Sequence, residues 1–97
     1  MKTRDDYERA LVLTRALVRE WDPGNLLRNG APDDEWDDEI ARLVARIPKV
    51  AGPDDAGRHI AEVFMAAFGR GVLDAGASAD FGRRWHAALG ESGLLHL

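Results

Sequence analysis

The side chains able to do chemistry fall into three groups. The first is the acid run Asp33, Asp34, Glu35, Asp37, Asp38 and Glu39, interrupted by Trp36 alone and carrying no counter-charge. Carboxylates collect at a helix start because unpaired N–H groups and the helix dipole favour them by about 0.3–1 kcal/mol each. Asp38 and Glu39 also stand four and three residues before Arg42, the spacing of intrahelical ion pairs. Those two effects account for three or four of the six acids. The excess, beside the small residues Ala41 and Ala45, predicts a flat acidic face suited to a basic protein. Its partner-binding set is Asp34, Glu35, Asp37, Asp38, Ala41 and Ala45. The run lacks the glycine and ligand spacing of a calcium loop, so no metal is expected there.

The second group is Asp55, His59 and Glu62, spaced i, i+4 and i, i+7 on one helix. Such spacing can supply a pair of metal ligands, and a small metal-dependent hydrolase is the enzymatic alternative it suggests. A site needs three or four ligands, and no second pair is visible, so a histidine bonded to a neighbouring carboxylate is the simpler expectation. Nucleophilic catalysis has little to work with. Cysteine is absent; Ser78 reads as a helix cap and Ser92 lies in a glycine-containing tail. Gly69-Arg70-Gly71 follows a helix, not a strand, which is the wrong context for a phosphate cradle. No catalytic residue, metal or cofactor is therefore assigned.

Arg83, Arg84, Trp85 and His86 make the third group, locally basic and aromatic. Trp85 shares a helix face with Phe81 and Leu89 and is expected in the core, leaving Arg83 and Arg84 in solvent. The alternative use of this patch is to meet the acidic helix of a second subunit, forming a homodimer.

Helices must position all three groups. The chain reads as all-α, a single three- to four-helix bundle over residues 1–97, with residues 69–97 adding a further helix to the part before them. Tyr7, Ala10, Leu11, Thr14, Leu17, Val18 and Trp21 share one arc of a helix from about Arg4 to Trp21, capped by Thr3 and closed by Pro23. Asp22-Pro23-Gly24-Asn25 and Asn29-Gly30 are turn signals, with Leu26 and Leu27 dipping inward between them. Asp22 can bond backbone N–H groups beyond it, Trp21 can pack beneath Trp36, and a ligand contact by Asp22 or Asn25 is the functional alternative for this loop.

A second helix is expected from Pro32 to Ile47, burying Trp36, Ile40, Leu43, Val44 and Ile47. The third spans Pro53 to Phe68, with Ile60, Val63, Phe64, Ala67 and Phe68 inward and Gly69 as its cap. After a connector at 71–77 containing Val72 and Leu73, a fourth runs from Ser78 to Leu89 and stops at Gly90. Leu94, Leu95 and Leu97 close the chain in a tail whose docking the pattern leaves open.

Trp21-Asp22-Pro23, Gly30-Ala31-Pro32 and Glu35-Trp36-Asp37-Asp38-Glu39 together resemble the YugE-like family of small bacterial domains. Its pattern is a Trp-Asp-Pro turn, a Gly-x-Pro and an acidic-aromatic-acidic helix start. Trp36 stands where that family more often has Tyr. The likeness is close over about 20 residues and loose to Phe68, with everything after Gly69 outside it. It implies a small helical fold and no particular activity. In size and charge such proteins are similar to bacterial immunity proteins, an analogy of class.

Net charge is −4, and residues 1–32 and 41–97 are each +1, so the acidity lies between them. With no concentrated basic footprint, nucleic acid is not expected as a partner. No apolar run approaches the roughly 20 residues that cross a bilayer, and the first residues lack a signal-peptide core, which predicts a cytoplasmic protein with no membrane partner. Richness in Ala, Arg, Gly and Asp suggests a GC-rich bacterial genome. Together these features predict a non-enzymatic protein-binding module, an immunity- or antitoxin-like inhibitor of a basic protein being its sharpest form; an oligomeric structural protein is a further alternative.

Overall fold

The computed structural model describes residues 3–22, 30, 36–68 and 75–95, the side chains of 67, 68 and 75 excepted. The expected inward placement of Leu26, Leu27, Ala67, Phe68, Val72, Leu73 and Leu97 lies outside what it describes.

Helix α1, Arg4–Trp21, has the predicted bounds because both ends carry a local stop. Thr3 is extended and its hydroxyl accepts the Asp6 amide at 3.1 Å, satisfying one of the unpaired N–H groups of the first turn. At the other end Asp22 turns left-handed, φ 47°, with its N–H on the Val18 carbonyl. A residue before proline is usually driven to extended geometry. Asp22 leaves the helix by the left-handed route instead, one that Asp tolerates better than most residues. Ala10, Thr14 and Val18 form the buried stripe, while Leu11, Leu17 and Trp21 are half-buried. Tyr7, expected with them, is 40 % exposed.

Helix α2 starts later than the spacing predicts. It runs Asp37–Arg46, with Trp36 as its cap residue, and continues as one 3-10 turn, Ile47–Lys49, that absorbs Pro48. Pro32 suits a first helical position but equally suits a turn, and its fixed φ does not choose between them. Trp36, Ile40, Leu43, Val44 and Ile47 are all buried, as expected.

Helix α3, Pro53–Phe68, matches its prediction. Helix α4, Ala75–Glu91, is longer than expected at both ends. Ser78 is a buried interior residue of α4 and not its cap, and Gly90 lies inside the helix. The true stop is Gly93, φ 71°. The Leu94 amide donates to the Leu89 carbonyl at 2.8 Å and the Gly93 amide to Gly90 at 3.2 Å, a Schellman closure. Leu94 is thereby folded onto Leu89, both fully buried, so this part of the tail docks.

The protein is thus an all-α bundle of four helices, with no strand among the described residues. The α3–α4 contact is the most extensive. It is close because Gly57 and Gly82 meet backbone to backbone: a Cβ on Gly57 would lie 2.9 Å from Ala79 Cα, and one on Gly82 would overlap the backbone of Gly57. Ser78 and Ala79 are small for the same reason. Helix α1 lies against α2 and α4, pinned by a buried bond from Trp85 Nε1 to Thr14 Oγ1 at 3.0 Å. Phe64 sits edge-on to both Trp21 (5.6 Å between ring centres) and Trp36 (5.5 Å), and Trp21 stacks on Phe81 at 4.2 Å. The two tryptophans are therefore tied together through Phe64.

Candidate functional site

Helix α2 turns its bulky residues inward and leaves Asp38, Ala41, Arg42 and Ala45 exposed, with Asp37 half-buried at the edge. Asp34 and Glu35 lie outside the described residues. Asp37 Oδ1 is 3.5 Å from Arg15 Nε of α1, an ion pair with both partners about half exposed. Surface pairs of that kind stabilise by well under 1 kcal/mol and exchange readily. Asp38 forms no ion pair among the described residues.

The expected pairing of Asp38 and Glu39 with Arg42 does not occur. Glu39 is instead buried, 8 % exposed, and its Oε2 has no hydrogen-bond partner among the described residues. At 100° per residue Glu39 sits next to Leu43 at the border of the apolar arc, and α2 seats that border against the bundle. It is therefore removed from the outward acidic set. Within the described part of this face the charge of Asp38 is offset by that of Arg42, and the charge of Asp37 by that of Arg15.

The structure does bring Asp55, His59 and Glu62 together, in a tight cluster with two arginines. His59 is buried, 4 % exposed, in the first half of α3. Its Nδ1 lies 3.2 Å from Arg46 Nη1 of α2 and its Nε2 lies 3.3 Å from Asp55 Oδ2. With its proton on Nε2, His59 accepts from Arg46 at Nδ1 and donates to Asp55, while Arg58 Nη2 lies 3.3 Å from the same Nε2. Glu62 receives Arg46 at 2.9 Å on one oxygen and Arg58 at 2.6 Å on the other. Asp55 receives Arg58 Nε on Oδ1 and the Ala51 amide on Oδ2, at 2.8 and 2.9 Å.

Each atom a metal would need thus faces an N–H donor, and among the described residues no three His, Asp or Glu side chains gather to hold an ion. A hollow of about 340 Å³ adjoins the cluster, with Lys49 on its rim. The arrangement ties α2 to α3 at the turn between them.

The Ala51 amide and Arg58 hold the Asp55 carboxyl below its ordinary pKa, and Arg46 with Arg58 does the same for Glu62. A carboxyl more acidic in the folded than in the unfolded chain stabilises above its unfolded pKa, and that contribution disappears as pH falls through the folded one. The melting temperature should therefore drop below the ordinary carboxylate range. Arg58→Met should flatten that acid limb when melting is followed from neutral to acidic pH; an unchanged limb would show that the cluster does not set it.

The third group has the exposure expected of it, with ion pairs that the spacing did not show. Arg83 and Arg84 are exposed but engaged, Arg83 with Asp80 at 3.1 Å and Asp54 at 3.3 Å, and Arg84 with Glu20 of α1 at 2.7 Å. These contacts link α4 to α3 and α1 within one chain. Trp85 is in the core as expected and His86 is half-buried. One feature escaped the sequence reading: Val12 on α1 is 66 % exposed, beside an apolar groove of about 640 Å³ that it lines with Leu13, Ala16 and Leu94. An isolated valine on a polar helix face gives no such signal without the tail's position. No helix among the described residues is long and apolar enough to cross a membrane.

No family model, curated protein or solved structure matches the chain.

Proposed function

We propose that this chain is a non-enzymatic protein-binding module, resident in the cytoplasm, that meets a basic protein through the outer face of α2. The contact set is Asp37, Asp38, Ala41 and Ala45, extended by Asp34 and Glu35. The observation that carries this reading is the exposed Asp38–Ala41–Ala45 surface. Its carboxylate has no ion pair among the described residues, and two methyl side chains leave room for a partner's long cationic side chain to lie flat. An immunity- or antitoxin-like inhibitor of a cationic toxin is the sharpest form of the proposal.

The YugE-like signature remains a proposed kinship; Trp21, Asp22, Gly30 and Trp36–Glu39 are its described elements. A metal-dependent hydrolase built on Asp55, His59 and Glu62 is disfavoured, since Arg46 and Arg58 already occupy that ligand set.

The test is affinity capture from the source cells with the native chain and an Asp34→Lys, Asp38→Lys double variant in parallel. A basic protein should be retained by the first and bound at least about tenfold more weakly by the second, an effect of some 1.4 kcal/mol. Binding should weaken with added salt. Equal retention by both chains, with the variant's circular dichroism unchanged, discards the proposal.

A further inference from the structure

Arg46 and Lys49 stand three residues apart across the 3-10 turn Ile47–Lys49, of which Arg46 is the cap residue. Side chains at that spacing eclipse in a 3-10 turn, so the two cations lie along one edge of it. That edge borders the hollow of about 340 Å³, whose other walls are Arg58, His59 and Glu62 of α3. The lining sets three cations against one carboxylate. With Asp55 counted behind Arg58, a surplus of one positive charge remains, in a chain whose net charge is −4.

The acids of the cluster do not reach that surplus. Glu62 receives an arginine on each oxygen, and Asp55 receives Arg58 and the Ala51 amide. The Lys49 ammonium makes no ion pair or hydrogen bond among the described residues. Arg46 uses only Nη1 within the chain, on His59 and Glu62; its Nε and Nη2 have no partner among the described residues. Those two N–H groups form one edge of the guanidinium, a fork that meets two oxygens of a single oxyanion. Like charges a turn apart repel, so Lys49 beside Arg46 brings the fold nothing by itself. An anion between them reverses that effect.

We propose that this hollow binds a phosphate group, with the Arg46 fork on two of its oxygens and the Lys49 ammonium on a third. A carboxylate has two oxygens in one plane, which the fork alone satisfies. A tetrahedral group engages the ammonium as well. Arg58 adds its field from the facing helix while keeping Asp55 and Glu62. The volume is at the lower end for small-molecule sites, enough for phosphate with a small organic remainder. Glu62 on the same wall disfavours further negative charge, so the class is a monophosphate and not a polyphosphate. The site uses none of the residues assigned to the basic partner and does not rest on that reading.

The test is titration of the full, 15N-labelled chain with inorganic phosphate, glycerol 3-phosphate and acetate at constant ionic strength, so that screening is held fixed. The Arg46 Nε–H and the backbone amides of Lys49 and Val50 report on the hollow. Their shifts should saturate with phosphate at a dissociation constant of about 1 mM, and acetate should bind about tenfold more weakly. Lys49→Met, at an exposed position outside the arginine–carboxylate network, should weaken phosphate binding about tenfold. Arg42→Met removes an equal charge from the exposed side of α2 and should leave binding unchanged. Tighter binding of glycerol 3-phosphate assigns an organic phosphate as the occupant; binding no tighter than that of phosphate assigns the free ion. Shifts that never saturate overturn the proposal, as does acetate binding as tightly as phosphate. So does a Lys49→Met chain, still folded by its melting curve, that binds like the native one or loses no more than Arg42→Met.

Discussion

Trp36→Ala is expected to remove about 3–5 kcal/mol of stability, the range for deleting a buried aromatic side chain. Trp36 is 1 % exposed, caps α2, and meets Phe64 of α3 edge-on, so it closes the core where α1, α2 and α3 converge. A chain of this size has only about 5–10 kcal/mol in total. The variant should therefore melt about 12–40 °C lower, at about 4–8 °C per kcal/mol. It should also loosen the start of α2, whose cap residue is Trp36. Chemical denaturation with tryptophan fluorescence from the remaining Trp21 and Trp85 measures it. A loss below about 1 kcal/mol would mean the cavity collapses at little cost, contrary to the rigid ring packing described.

That Trp36, Ile40, Leu43, Val44 and Ile47 bury together was legible, because bulky residues at helical spacing have only one way to leave water. The bounds of α1 and α3 were legible for the same reason with local stops added: Thr3 before α1, Pro23 after it, Pro53 at the head of α3. The start of α2 was not, since Pro32 is equally at home at a first helical position and in a turn. The end of α4 was decided by a tertiary event. Gly90 and Gly93 both offer a stop, and the docking of Leu94 onto Leu89 selects the second.

The candidate sites were legible only in their ingredients. Asp55, His59 and Glu62 do meet, as their spacing required, but Arg46 arrives from α2 thirteen residues before His59 and converts a possible ligand set into an ion-pair network. Helical spacing carries no information about what a second helix brings. Glu39 shows the converse limit: a carboxylate at the edge of an apolar arc is assigned to solvent by its charge and to the core by its angle, and here the angle prevails. That Arg83 and Arg84 are exposed was legible; their ties to Asp54 on α3 and Glu20 on α1, distant in sequence, were not.

Gly82→Ala should be the most damaging small substitution in the protein, and its sign is opposite to that of the same change eight residues later. The new methyl would overlap the Gly57 backbone and stand 2.8 Å from the Ala56 carbonyl carbon. Backbone atoms in a helix cannot rotate aside as a side chain does, so α3 and α4 must separate. Overpacking of this kind costs about 1–3 kcal/mol, the upper end applying where backbone opposes backbone. It outweighs the gain of about 1 kcal/mol that alanine brings over glycine inside a helix. At Gly90, also within α4, the nearest atom to a new Cβ is Leu95 Cδ1 at 3.2 Å, the end of a flexible side chain. Gly90→Ala should then keep most of the propensity gain. The two variants should differ by about 2–3 kcal/mol in urea denaturation, with Gly82→Ala the weaker. Separation of the helices would also pull Arg83 from Asp54, so a double-mutant cycle between Arg83→Ala and Gly82→Ala should show coupling that one with Gly90→Ala does not. Equal stability of the two alanine variants would mean that the α3–α4 crossing has room the backbone contact denies.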